Sequence, residues 1–100
     1  MIRLQRSGRT KNGKLVNGIM FAKEIAEYLN SKYAPLSVQV FAEQFGNLGT
    51  IYWYLDYKDL ATLESVTSKL IADQEYLAIA LKGMELFIEG SIHDCLMASV

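Results

Sequence analysis

An α+β domain built on one antiparallel sheet follows from this sequence on three grounds. Alternation at the N-terminus marks a half-buried strand, and apolar residues spaced by three and four mark amphipathic helices. Gly46-Asn47-Leu48-Gly49 joins two β-rich runs as a hairpin. With 100 residues, 51% hydrophobic and 21% charged, the chain has room for one domain, 1–100, around one core. That balance excludes a disordered tail, where low hydrophobicity accompanies high net charge.

Residues 1–7 alternate, Ile2 and Leu4 on one face and Arg3 and Gln5 on the other, so they form the first expected strand. Residues 8–13, with Asn12-Gly13 inside, read as a loop. Asn17 is the expected N-cap of a helix whose inner stripe is Ile19, Ala22, Ala26, Leu29 and Tyr33, widened by Ile25. Pro35, the only proline, stops it. Residues 37–45 and 50–57 read as the second and third strands. Pairing Phe45 with Thr50 across the turn sets Glu43 opposite Tyr52, Phe41 opposite Tyr54 and Gln39 opposite Asp56. Val38, Val40, Ala42, Ile51, Trp53 and Leu55 then share the other, apolar face.

Asp56 or Asp59 caps the next helix, with Leu60, Leu63, Val66 and Leu70 inward. Asp73 restarts a helix with Tyr76, Leu77, Ala80, Met84 and Phe87 inward, and Gly90 ends it. Residues 91–99 make a last strand, Leu96 and Ala98 on one face and His93, Cys95 and Met97 on the other. The order β-α-β-β-α(α)-β contains strand-helix-strand twice. It is the ferredoxin-like split arrangement, a four-stranded antiparallel sheet with helices on one face.

Charge excludes several functions. The formal net charge is -1 and the pI is near 5.7, so this is no generally basic nucleic-acid binder. Arg3, Arg6, Arg9, Lys11, Lys14 and Lys23 all precede the first acid, Glu24, but lack interleaved aromatics for base stacking. They read as a solvated strand and turn, and no nucleic acid is expected as a partner. No apolar run reaches the roughly 20 residues of a membrane span, and no apolar core and cleavage site follow the basic start. A cytoplasmic protein without a membrane partner is expected. Cys95, the only cysteine, cannot close an intrachain disulfide, nor with the only histidine, His93, complete a usual zinc site. Gly46 to Gly49 join two strands and precede no helix, so they make no phosphate loop, and no Gly-x-Ser-x-Gly elbow exists. Neither metal nor cofactor is expected.

The sheet face without helices would carry Phe41, Tyr52, Tyr54 and Met97, too much apolar area to leave in water. A second copy laid face to face makes a two-fold homodimer and encloses a barrel. Arg3, Gln5, Phe41, Glu43, Tyr52, Tyr54 and His93 line that candidate cavity, and Glu43 inside it needs water or a partner such as Arg3. As a binding module, the dimer would hold a small apolar or aromatic molecule. Tyr52 and Tyr54 would stack on it, Phe41 would wall it, and Glu43 or Arg3 would orient it. The alternative is a cofactor-free monooxygenase acting on an aromatic or polyketide-like substrate, with Glu43, His93 and Tyr52 as acid–base groups. A dry interface without a ligand is the plainest third reading.

Residues 45–76 add a resemblance. Phe45-Gly46-Asn47-Leu48-Gly49, Leu55-Asp56-Tyr57-Lys58-Asp59-Leu60-Ala61 and Ala72-Asp73-Gln74-Glu75-Tyr76 resemble the NIPSNAP-like branch of the dimeric α/β-barrel superfamily. Leu55 stands where that branch usually has tryptophan, and Trp53 lies two residues earlier on the same face. The first forty residues match in element order alone. The chain is also similar to uncharacterised ferredoxin-like proteins known from marine environmental sequence. The resemblance implies a homodimer with a barrel between its sheets. It implies no particular reaction, because the superfamily spans cofactor-free monooxygenases, haem-degrading enzymes and proteins of no assigned activity. Haem degradation fits poorly, since it calls for a histidine on a helix and His93 falls in an expected strand.

Overall fold

The computed structural model describes residues 1–100. In chain order it holds β1 (Ile2–Arg9), α1 (Leu15–Lys32), β2 (Ser37–Ala42), β3 (Thr50–Tyr57), α2 (Leu60–Ile71), α3 (Gln74–Lys82) and β4 (His93–Ala98). The four strands form one sheet in the order β2-β3-β1-β4, every neighbouring pair antiparallel. This is the ferredoxin-like order, with β1 and β3 side by side at the centre.

The core lies between the sheet and the helices. Along β3, burial alternates at every residue: Ile51, Trp53, Leu55 and Tyr57 are buried under the helices, while Tyr52, Tyr54 and Asp56 face the other way. Helix α1 presses Gly18, Ala22, Ile25, Ala26 and Leu29 inward. Gly18 permits that approach, because a Cβ there would stand 2.6 Å from Thr10 Cγ2 and 3.1 Å from Ile51 Cδ1. The Trp53 indole N–H donates to the Ala22 carbonyl at 3.2 Å, so its one polar atom is satisfied. Its ring stands edge-on to Phe21 and tilted against Phe87, with centroids 6.4 and 5.8 Å away.

Both expected aspartate caps are made. Asp59 accepts from Thr62 N–H at 2.8 Å, and Asp73 from Glu75 and Tyr76 N–H, each at 3.1 Å. Asp56 instead takes Arg3. Four expectations need correction. β1 runs on to Arg9, beyond the expected end at Ser7. α1 begins at Leu15, not after Asn17, because Lys14 N–H to the Lys11 carbonyl (3.0 Å) and Gly18 N–H to the Lys14 carbonyl (2.8 Å) close the reversal first. The hairpin register differs by two: Phe41 faces Tyr52 and Gln39 faces Tyr54. β2 ends at Ala42, Glu43 N–H bonds the Thr50 carbonyl at 3.0 Å, and Phe45 lies exposed in a wider loop. An even shift leaves each side chain on its expected face. Lastly, α3 ends at Lys82, not Gly90. Gly83 is the C-cap, and a Cβ there would stand 2.3 Å from Phe21 Cζ, so only glycine lets α1 and the end of α3 approach so closely. Phe87 then reaches the core from a bridge to Thr10, while Met84 and Leu60 are exposed.

The two sheet edges differ. At β2, Asn30 of α1 accepts from Val38 N–H (2.8 Å) and donates to the Val38 carbonyl (3.0 Å), closing that edge. At β4 every residue is exposed. The helices lie over β2 and β3, and Asp94 of β4 is held by both Nε and Nη2 of Arg6, at 2.8 and 2.9 Å.

Candidate functional site

The strand registers arrange the helix-free face in rows. His93, Ser7, Tyr52 and Phe41 cross the sheet in one row, and Cys95, Gln5, Tyr54 and Gln39 in the next. Met97, Arg3, Asp56 and Ser37 form a third. All seven residues expected on this face are therefore on it, Glu43 just beyond the end of β2.

Its polar groups pair within the face. The guanidinium of Arg3 grips Asp56 with both arms, Nε to Oδ1 at 2.6 Å and Nη2 to Oδ2 at 2.9 Å. The same guanidinium lies 5.3 Å from the centre of the Tyr54 ring. Hydrogen bonding to Arg3 holds the Asp56 carboxyl below its ordinary range, and the same bond raises Arg3. Tyr54 donates its hydroxyl to Gln5 Oε1 at 3.0 Å. Glu43 therefore does not take Arg3, which the sequence offered as its partner. It accepts the Tyr52 hydroxyl on Oε1 and Asn47 N–H on Oε2, the latter at 2.5 Å. Those two bonds, the tyrosine's first, hold the Glu43 carboxyl below its usual range, while bonding to Glu43 and then burial push Tyr52 up.

The apolar part is a row of rings. Tyr52 and Tyr54 stack with centroids 6.3 Å apart and 15° between planes, and Phe41 stands edge-on to Tyr54 at 5.5 Å. Met1, Arg3, Gln5, Tyr54 and Met97 border a shallow depression of about 400 Å³. His93 lies exposed on the edge strand, two strands from Tyr52, about 10 Å across the sheet. The structure brings Glu43 and Tyr52 together and leaves His93 apart from them.

A second polar cluster lies on the helix side and was not foreseen beyond the cap. Buried Asp73 accepts the hydroxyls of Tyr28 (2.6 Å) and Tyr33 (2.7 Å) and the ammonium of Lys32 (3.1 Å). The tyrosine hydroxyls, then its own helix N-terminus and Lys32, drive the Asp73 carboxyl far below its ordinary range. Its partners lie forty and more residues earlier in the chain, so local pattern carried no sign of them.

No family model and no curated protein matches the chain. Solved structures do. An uncharacterised NIPSNAP domain protein from Burkholderia xenovorans superposes with a TM-score of 0.84 at 16% identity, covering 100% of this chain and 95% of that one. A NIPSNAP family protein from Agrobacterium tumefaciens gives 0.81 at 19% identity, covering 99% and 92%. A protein described as an antibiotic biosynthesis monooxygenase gives 0.73 at 16% identity, covering 100% and 99%. What the chain shares with all three is the architecture: it has the ferredoxin-like fold of the NIPSNAP-domain proteins.

Proposed function

We propose that the chain works as a homodimer whose helix-free sheet faces meet and hold a small apolar or aromatic molecule between them. One observation carries this reading. Phe41 and Met97 are 53% and 38% exposed beside two tyrosines, while Arg3, Gln5 and Glu43 already have partners within the face. Covering the face would therefore leave Arg3, Asp56, Gln5 and Glu43 with their partners, which lowers the cost of removing a mixed surface from water. Tyr52 and Tyr54 would stack on the ligand, Phe41 would bound it, and the Arg3–Asp56 pair would set the polar end. The free thiol of Cys95 fits a reducing, cytoplasmic setting. No helix is long and apolar enough to cross a membrane.

The second reading, a cofactor-free monooxygenase, draws on the monooxygenase-like neighbour. The electrostatics favour binding instead. Glu43 is shifted down and so is a weaker base, and the Tyr52 hydroxyl is committed to it. Native mass spectrometry of the gently purified chain tests the binding reading. A dimer carrying added mass is expected, a clean dimer puts a dry interface first, and a monomer at micromolar concentration overturns the pairing. Oxygen uptake with a panel of hydroxyaromatics, above a heat-killed control, would put the oxygenase first.

A further inference from the structure

We propose that a second site, on the helix side and apart from the open sheet face, binds a small organic anion: a carboxylate or phosphate ester on an apolar body. The site is the cleft between the C-terminal end of α1, the 34–36 turn and the outer flank of α2, with a volume of about 720 Å³. Cavities of about 300–1,000 Å³ are the size that takes small ligands.

Its existence follows from the sequence of α2. The flank turned to the cleft carries Ala61, Thr62 and Ser65, spaced along successive turns and too short to fill the gap. α1 packs against α3 instead. The floor is core: Leu36, Tyr57 and Val66 are all buried and present an apolar base.

The rim supplies the charge preference. Two carboxylates border the cleft: Asp56, at the rim shared with the sheet face, is paired, and Asp59 is bonded on one oxygen. Asp56 has Arg3 on each oxygen, and Asp59 Oδ1 takes the N–H and hydroxyl of Thr62 at 2.8 and 2.7 Å. Lys32 is likewise held by Asp73 and the Tyr28 hydroxyl. Lys58 and Lys69 have no ion pair. They bracket the flank of α2, Lys58 just before its cap and Lys69 in its last turn. A molecule entering the cleft thus meets two lysines without an ion pair, Lys58 and Lys69, against one carboxylate without a cation partner, Asp59, over an apolar floor. An anion with an apolar body complements the net positive charge of the rim and the apolar floor.

The test is a titration of the full chain followed by amide ¹H–¹⁵N shifts, with benzoate, phenyl phosphate, inorganic phosphate and benzyl alcohol as probes. Saturable shifts around Tyr57, Thr62, Ser65 and Leu36 with either organic anion are expected, and the tighter of the two names the headgroup. Replacing both Lys58→Ala and Lys69→Ala should weaken binding roughly ten-fold, the size of losing about 1.4 kcal/mol of attraction. Ser65→Phe should block it by filling the cleft, and Lys11→Ala with Lys14→Ala should leave it unchanged. The proposal is overturned if no shift occurs by about 10 mM, a concentration sufficient for millimolar affinity. It is equally overturned if benzyl alcohol binds as well as benzoate, if inorganic phosphate matches phenyl phosphate, or if shifts fall only on Gln5, Tyr52 and Tyr54.

Discussion

Glu43 serves two structures with one carboxylate. Oε1 takes the Tyr52 hydroxyl from the aromatic face, and Oε2 takes Asn47 N–H and so fixes the 44–49 loop. Gly46 has to be glycine for this. Its φ is +93°, and a Cβ would meet Glu43 Oε2 at 2.6 Å. Tyr52→Phe should therefore let the Glu43 carboxyl rise toward its ordinary value of 4.5, read by carboxyl ¹³C shifts against pH. An unmoved titration would mean that the loop N–H alone sets it. Asp73 gives a second residue-scale outcome. Its carboxyl is depressed in the folded chain, so its contribution is fully present above the unfolded value of 3.8 and fades as pH falls through the folded value. Asp73→Asn keeps a competent cap but loses the charge that holds Lys32 and both tyrosine hydroxyls. It should melt lower than the parent at pH 7, with the gap closing as pH drops below 3.8. A constant gap would assign the loss to packing. The aspartate caps were legible because a cap is read within three residues, whereas Asn17 was not one, since α1 starts from Lys14 without a side-chain cap. The tyrosine–aspartate cluster was not legible, because only the docking of α1 on the start of α3 creates it.

At the scale of elements, strands and aspartate caps were readable, and the ends of helices were not. β3 announced itself as a β-branched and aromatic run after the glycine turn, and in the structure its burial alternates at every position from Ile51 to Tyr57. The hairpin register slipped because the glycines fixed where the chain turns, while Glu43 and its two bonds fixed how wide. α3 was read too long because Met84 and Phe87 continue a helical spacing past Gly83, where the helix ends and the chain packs closely on Phe21 of α1. That close packing has a measurable consequence. Phe21 is edge-on to both Trp53 and Phe87, so its ring has little room to retreat. Gly83→Ala should cost about 1–3 kcal/mol by overpacking. Gly13→Ala, with nothing within 4 Å, should cost about 1 kcal/mol from its positive φ alone. Urea unfolding of the two variants separates these costs, and equal losses would mean that Phe21 yields to a side chain at position 83.

For the whole molecule, 17 of 100 residues are buried, and they lie on one side of the sheet. The helices cover β2 and β3, Asn30 closes the β2 edge, and the aromatic face and β4 are left to water. A chain so arranged draws its stability from two sources, the core it has and whatever covers the rest. The proposed face-to-face pairing separates them by mass action, since a dimer of folded chains melts higher as concentration rises. Ile51, fully buried, belongs to the first source. Ile51→Ala should cost about 2–5 kcal/mol and lower the melting temperature at every concentration while keeping its concentration dependence. Phe41, half exposed within the chain, belongs to the second. Phe41→Asp should leave the dilute melting temperature nearly unchanged and abolish the dependence, because a carboxylate would be buried unpaired in the interface. Calorimetry over a hundred-fold range of concentration, worth about 2.7 kcal/mol by mass action and so a shift of several degrees, decides the matter. If the parent melts at one temperature throughout, the open face is not covered by a second copy, and its rings must be held for another partner.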